Sequence, residues 1–145
     1  MITVYGMPAP QGSKSFKGMR GGHAILVESS KKVKPWRDSV AWAAVESGEK
    51  YAGPVAVSID FYLPRPTSTP KRVTVPAKKP DIDKLIRSTL DALVTAGVIE
   101  DDARVVTISA AKLFVGTPRT SIMAPFPAMT SQGCIINIFE VLPND

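Results

Sequence analysis

A stripe of apolar residues between positions 82 and 94 constrains the fold more than any other feature of the sequence. Its members recur every three or four residues, as one face of an α-helix does, and they are Ile82, Leu85, Ile86, Leu90, Leu93 and Val94. Gly97 follows at a position where helices commonly end. The sequence therefore predicts a helix that begins at Ile82, ends before Gly97 and packs one face on a core.

Strand patterns lie on both sides of this helix. Residues 55–63 alternate between apolar and more polar side chains, which is the period of a half-buried strand. Similar reasoning predicts four more strands and one more helix, the strands at residues 2–5, 24–27, 105–115 and 134–142 and the helix at residues 35–48. This order lacks the regular alternation of a doubly wound sheet. We therefore expect an α+β, or mixed α/β, fold in which two helices pack on one mostly antiparallel or mixed sheet.

Length and residue usage bound the class of protein. With 145 residues and 44% hydrophobic content, we expect residues 1–145 to form a single domain. Cys134 is the only cysteine, so an intrachain disulfide and a thiolate metal cluster are excluded, and His23 has no second histidine with which to hold a metal. No apolar stretch approaches the ~20 residues of a membrane span, and the first residues do not resemble a signal peptide. We expect a cytoplasmic protein.

Charge is distributed unevenly along the chain. The net charge is +5, yet residues 81–102 contain six Asp or Glu against two Lys or Arg, a local net of −4. The rest of the chain contains seven acidic against sixteen basic residues, a net of +9. Carboxylates can hold a hard divalent cation, and a basic surface attracts phosphates. This separation favours an enzyme that acts on a polyanion with a divalent metal.

Four aspartates flank the predicted helix. Asp81 lies at its mouth, Asp83 in its first turn, and Asp101 and Asp102 follow the turn after it, where a return of the chain can bring one of them back to the first two. A metal held by such carboxylates would neutralise the charge that builds on a phosphodiester during hydrolysis. The same residues also have ordinary explanations, as a helix cap, a favourable charge at the helix dipole and turn residues.

The basic residues cluster in two segments. Residues 64–80 contain five prolines and no acidic residue, and they form an extended basic loop directly before the acidic region. The loop also lacks aromatic residues, so base stacking by the loop itself is not expected. Residues 12–22 form a glycine-rich basic loop or hairpin without the spacing of a phosphate-binding loop. A solvated surface is the alternative for both segments. The candidate nucleic-acid contacts are Lys14, Lys17, Lys71, Arg72, Lys78, Lys79 and Lys84.

Residues 79–105 closely resemble the RusA family of Holliday junction resolvases. The resemblance rests on the ungapped strings KPDIDKL, LDAL and GVIEDDARV. It implies that Asp81, Asp83 and Asp102 are the three essential metal-binding aspartates. Arg87 stands where the family has its catalytic lysine; it keeps the charge but cannot readily exchange a proton. The resemblance further implies Mg²⁺ or Mn²⁺ as cofactor, a homodimer, and symmetric nicking of opposed strands in a four-way junction.

These inferences predict a crossover junction endodeoxyribonuclease. It would be a magnesium-dependent, structure-selective enzyme of DNA recombination and repair, with Asp81, Asp83 and Asp102 as metal ligands. Arg87 and Lys84 would contact phosphate or stabilise the transition state, so the catalytic residues would be the three aspartates and Arg87. Two alternatives stay open at this point. One is a non-catalytic protein that binds branched DNA, and the other is a metal-dependent nuclease with another nucleic-acid substrate.

Overall fold

The chain folds around a sheet in which the alternating segment 55–63 is a central strand. The computed structural model describes residues 1–12, 14–20, 23–28, 31–118 and 128–142, and the side chains of 14–20 and 23–28 are not included in that description. The elements in chain order are β1 (Ile2–Tyr5), β2 (Lys14–Arg20), β3 (His23–Glu28), α1 (Val33–Ser47), β4 (Val55–Leu63), α2 (Ile82–Thr95), β5 (Val105–Phe114) and β6 (Gly133–Glu140).

The main sheet is mixed, with the strand order β1-β6-β4-β5. Strand β4 pairs antiparallel with β6 and parallel with β5, and β1 pairs antiparallel with β6 at the sheet edge. Strands β2 and β3 form a separate antiparallel hairpin. Two helices with this four-stranded mixed sheet make a small α+β domain, which confirms the predicted fold class. Helix α1 begins at Val33, two residues before the predicted start.

Both helices contribute to one core on the sheet. Alternate residues of β4, including Ile59 and Phe61, lie in a single buried cluster with Trp36 of α1 and Leu85 of α2. The indole Nε1 of Trp36 donates to Thr89 Oγ1 at 3.2 Å, so the two helices are also joined by a buried hydrogen bond. The apolar stripe of α2 therefore has the role that its spacing predicted.

Gly133 is required where β6 meets the edge strand. Its φ is 155°, and a Cβ atom at this position would overlap the carbonyl oxygen of Val4. Next to it, Cys134 is fully buried in β6, and burial together with the charge of Asp60 raises the pKa of its thiol well above the ordinary value. Such a thiol stays protonated, in agreement with a packing role rather than a nucleophilic one.

The direction of β5 decides where the charged segments lie. Val105 at the start of β5 pairs with Val55 at the start of β4, and Phe114 pairs with Leu63 at the end of β4. The basic loop 64–80 and the beginning of α2 therefore lie beyond the end of β4. Asp101 and the short 3₁₀ helix Asp102–Arg104 precede β5 and lie toward the other end of the strands, where β4 begins. Helix α2 runs between these two ends of the sheet.

None of the helices that the structure describes is long and apolar enough to cross a membrane. The cytoplasmic location stays a prediction.

Candidate active site

Asp81 and Asp83, here called the N-terminal pair, lie at the beginning of α2. Asp81 occupies the N-cap position with an extended backbone, φ −71° and ψ 138°, yet its side chain makes no capping hydrogen bond to the described helix. Asp83 in the first turn is largely exposed and forms an ion pair with Lys84 at 3.4 Å. Capping therefore does not occupy the Asp81 carboxylate, and both side chains are accessible to a ligand.

A cleft of about 520 Å³, here called the cleft, opens beside the N-terminal pair. One wall is the segment 7–12 and the other is the chain from Lys79 to Lys84. Asp81 lines the cleft together with the three lysines Lys32, Lys79 and Lys84. One carboxylate among several ammonium groups makes a suitable environment for a phosphate, because the lysines attract it and the carboxylate can hold a cation against it.

The first wall of the cleft is fixed by contacts to α2. Ser88, which is buried, donates its hydroxyl to the carbonyl of Ala9 at 2.7 Å. The backbone N–H of Gln11 donates to the carbonyl of Lys84 at 3.0 Å. These two bonds keep the segment 7–12 against the helix that carries the N-terminal pair.

Lys112 of β5 fixes the second wall. Its ammonium donates to the carbonyls of Lys78 and Pro80, at 2.8 and 2.9 Å. The peptide bond between Lys79 and Pro80, enclosed by these two contacts, is cis. Because Asp81 follows Pro80 directly, Lys112 determines where the basic loop ends and the site begins.

Asp91, Asp101 and Asp102, here called the C-terminal group, lie toward the other end of α2. A hydrogen bond with Asp101 and the negative charge of Asp101, with a smaller contribution from Asp91, raise the pKa of Asp102 above its ordinary value. Gln11 donates its Nε2 to Asp91 at 2.7 Å and accepts a hydrogen bond from Arg37 at 3.0 Å. The C-terminal group is therefore crowded with negative charge and steadied on one side by an amide.

Of the three aspartates that the sequence proposed as one metal site, Asp81 and Asp83 lie at the beginning of α2 and Asp102 follows the helix. Asp83 and Asp91 are about 12 Å apart along the helix, from a rise of ~1.5 Å per residue. Asp102 belongs to the Asp91 end. In the part of the chain that the structure describes, no three Asp, Glu, His or Cys side chains lie close enough together to hold a metal ion. That Asp102 joins Asp81 and Asp83 at one metal ion stays a prediction.

The donor chemistry of the site nevertheless fits Mg²⁺ or Mn²⁺. Magnesium in phosphate-processing sites keeps several waters and is held by one or two carboxylates together with substrate phosphates. The N-terminal pair offers two exposed carboxylates beside a basic cleft, so Asp81 and Asp83 suffice for such a site. The raised pKa of Asp102 shows negative crowding that a cation would relieve.

The remaining candidates have different surroundings. Arg87 is exposed on α2, and among the described residues no ion pair joins it to Asp83 or Asp91. Lys71 and Arg72 are exposed in the basic loop. Lys14, Lys17 and His23 lie in the hairpin, where side chains are outside the described part of the structure.

Sequence reasoning missed four residues that shape the site: Lys112, Gln11, Arg37 and Lys32. One signal was present in the sequence, because Lys112 is a charged residue inside an otherwise apolar strand pattern. Its hydrogen-bond partners are backbone carbonyls, which every residue has, so the sequence does not identify them. Gln11 binds Asp91 across 80 positions of the chain, and Arg37 binds Gln11 across 26. These contacts depend on the fold alone.

Residues 6–124 match the family model described as endodeoxyribonuclease RusA. The matched range contains β4, the basic loop, α2 and both groups of aspartates. The chain is also similar to the uncharacterized protein YqaN of Bacillus subtilis (strain 168), at 29% identity over 134 residues, which cover 84% of this chain and 92% of that protein.

Proposed function

This chain belongs to the endodeoxyribonuclease RusA family, and from that premise we propose that it resolves Holliday junctions. The proposed enzyme cuts two opposed strands of a four-way DNA junction by symmetric nicks, in recombination and repair. The observation that carries the proposal is the cleft, in which Asp81 meets Lys32, Lys79 and Lys84 within the matched range. This is the combination of charges that a metal-assisted phosphodiester hydrolysis needs.

In this proposal the lysines of the cleft hold the phosphate that is cut. Asp81 and Asp83 would hold Mg²⁺, with Mn²⁺ as a substitute, and Asp102 is the third proposed ligand. A bound divalent cation would supply charge neutralisation and a water of lowered pKa. For Asp83 to take part, its carboxylate leaves Lys84, which frees the Lys84 ammonium for phosphate. Asp83 and Lys84 would thus lose one exposed ion pair and gain one contact each, Asp83 to the metal and Lys84 to the phosphate.

Arg87 contributes charge and not a proton in this mechanism. A guanidinium stays protonated at any ordinary pH, so it can bind a phosphate oxygen but cannot act as a general acid or base. Arg87 is exposed on the face of α2 between Asp83 and Asp91, and this position suits contact with the DNA backbone. Protons must then be exchanged through water.

Binding of the junction arms is assigned to basic residues in and around the cleft. A two-fold homodimer, each chain a single domain over residues 1–145, would present two such sites to a substrate of matching symmetry. The proposed DNA contacts are Lys14, Lys17, Lys71, Arg72, Lys78, Lys79 and Lys84. Replacing any of them should weaken binding and reduce its dependence on salt.

The test is cleavage of a labelled synthetic four-way junction with and without Mg²⁺, beside linear duplex and a flap substrate of the same sequence. We expect paired symmetric nicks that require the metal and that disappear in Asp83→Asn. The matched control is Asp38→Asn, which removes an exposed carboxylate of α1 that pairs with Lys34 at 2.9 Å. Preferential cleavage of the flap, or of an RNA equivalent, would contradict the assignment to junctions.

A second candidate is a non-catalytic protein that binds branched DNA. Two observations favour it: Arg87 stands in place of the family's lysine, and among the described residues no three metal-binding side chains converge. It predicts tight binding of the junction without cleavage in either Mg²⁺ or Mn²⁺. The same assay therefore separates the two candidates, since only the first predicts nicks.

A further inference from the structure

A second cavity, of about 610 Å³, adjoins the cleft. The two share a border made of Met7, Pro8, Lys79 and Pro80, which line both. This cavity, here called the loop pocket, lies between the end of the sheet and the basic loop 64–80. Its volume is within the ~300–1,000 Å³ of typical ligand sites. A ligand in the loop pocket would therefore be a direct neighbour of a phosphate held in the cleft.

The lining of the loop pocket is apolar in its walls and basic at one side. Leu63 and Phe114 come from the sheet, and Pro70 and Val73 come from the loop. The hydroxyl residues Ser68 and Thr69 and the exposed Lys78 and Lys79 complete it, and none of the described residues that line it is acidic. This pattern fits a flat apolar group that has a polar edge and is attached to an anion.

Hydrogen bonds hold the loop pocket open without a ligand. The Arg65 guanidinium donates to the carbonyls of Val73 and Pro70, at 2.6 and 2.8 Å, and lies 5.0 Å from the centre of the Phe114 ring. The other end of the loop is held by Lys112. Because Arg65 holds the middle of the loop and Lys112 holds its end, little ordering of the loop is needed before binding.

We propose that the loop pocket receives one unpaired nucleobase of the DNA substrate. The inference rests on the proposed function and deepens it, since it names the part of the substrate that lies beside the cut phosphate. A nucleobase has the two apolar faces, the polar edge and the linked phosphate that the lining fits. Although the loop contains no aromatic residue, its prolines and Phe114 provide the apolar surface.

Branched DNA supplies such a base at low cost. A base that is already unpaired or at a branch point needs less energy to leave the stack than one inside a duplex. Binding it in the loop pocket would thus favour branched over linear DNA without reading the sequence through hydrogen bonds to a paired base. Selectivity for structure then follows from the pocket itself.

The test compares two four-way junctions by fluorescence anisotropy in EDTA, so that no cleavage occurs. One carries a single unpaired thymidine at the branch point, and the other carries an abasic residue at that position. Full-length wild type should bind the thymidine junction about tenfold more tightly, because a base in the pocket removes apolar surface from water. Val73→Trp, which fills the pocket, should bind both junctions equally. The matched control Val75→Trp, in the same loop but 53% exposed and outside the pocket lining, should keep the preference.

Three outcomes would overturn the inference. They are equal binding of both junctions by wild type, a preference that persists in Val73→Trp, and a preference lost equally in Val75→Trp. Thr69→Trp fills the pocket from another position and replaces Val73→Trp if the latter unfolds at the assay temperature. Sedimentation of each variant tests whether a second copy of the chain occupies the pocket instead; dissociation of a dimer by Val73→Trp with the preference unchanged would show that it does.

Cleavage of the same junctions by wild type in Mg²⁺ separates this inference from the proposed function. Cleavage without base preference would overturn the loop-pocket inference alone. Base preference without cleavage would support the pocket in a protein that binds but does not cut, and the proposed function would then be wrong.

Discussion

The two ends of helix α2 both carry aspartates, but the charges around them differ. The N-terminal pair lies among lysines, with Lys84 at 3.4 Å from Asp83 and three lysines in the cleft of Asp81. The C-terminal group has no ion pair with any Lys or Arg in the described part of the chain, and the nearby Arg104 is paired with Glu100 at 3.0 Å. The N-terminal pair is therefore at the balanced end of α2, where lysines offset the negative charge of the carboxylates. The C-terminal group is at the unbalanced end, where negative charge accumulates.

This difference separates two tasks that a nuclease has to perform. The balanced end can attract and hold a phosphate, because lysines line the cleft and the exposed ion pair of Lys84 with Asp83 is weak. The unbalanced end gains from an added cation, because the negative charges of Asp101 and Asp91 disfavour the charged form of Asp102. Changing each end separately therefore tests whether both ends serve the same reaction.

The largest effect is expected from the aspartates themselves. Asp83→Asn and Asp102→Asn should each lower the rate of junction cleavage by about 10³-fold, because each removes a charge that helps to hold the metal, worth several kcal/mol. The readout is single-turnover cleavage at saturating protein, with Asp38→Asn as the unchanged control. Full activity in Asp102→Asn would show that the C-terminal group is not part of the site.

A smaller effect is expected from Lys112, which acts on the balanced end alone. Lys112→Met removes both hydrogen bonds to the end of the basic loop and should slow cleavage by roughly tenfold to a hundredfold, since small displacements of reacting groups have effects of that size. Hydrogen exchange should become faster in residues 76–82 and stay the same around Asp102. Lys50→Met removes the same charge from an exposed position elsewhere. An equal loss of cleavage in Lys50→Met would show that the effect of Lys112→Met comes from the change in net charge alone.

Much of the local structure was predictable because it follows from periodicity. Strand β4 has the predicted bounds, and α2 has its predicted start and the predicted Gly97 after it, with a φ of 78°. Both patterns are read over a few neighbouring residues, so no knowledge of the rest of the chain is needed. The acidic and basic segments were found in the same way, as composition along the chain.

The relative position of the two carboxylate groups was not predictable in this way. It depends on β5 pairing parallel to β4, which places the residues just before β5 near the beginning of β4 and not beyond its end. Parallel pairing is a contact between distant parts of the chain, and spacing along α2 carries no information about it. The bonds of Lys112 and Gln11 are of the same kind, since their partners are 32 to 80 residues away.

Gln11 is the residue that connects the two ends, and its replacement should have an intermediate effect. Its backbone N–H binds the Lys84 carbonyl, while its side chain binds Asp91 and accepts from Arg37. Gln11→Met keeps the first bond and removes the other two, so cleavage should fall by about tenfold, the order of one hydrogen bond to a charged group. Arg37→Met should act in the same direction and less strongly. Unchanged cleavage in both variants would show that the hydrogen bond that orients Asp91 does not affect the reaction.

The smallest effect is expected from Asp101, and it is an effect on stability. Because Asp101 raises the pKa of Asp102, the folded state disfavours the charged form of Asp102, and this penalty is present above the folded pKa and absent below the unfolded one. Asp101→Asn should therefore raise the unfolding midpoint near neutral pH by on the order of 1 °C, since exposed charges are well screened. The gain should disappear in acid and shrink with added salt or Mg²⁺. A midpoint that falls at neutral pH would show that Asp101 stabilises its neighbour, and the contrast between the two ends of α2 would then lose its electrostatic basis.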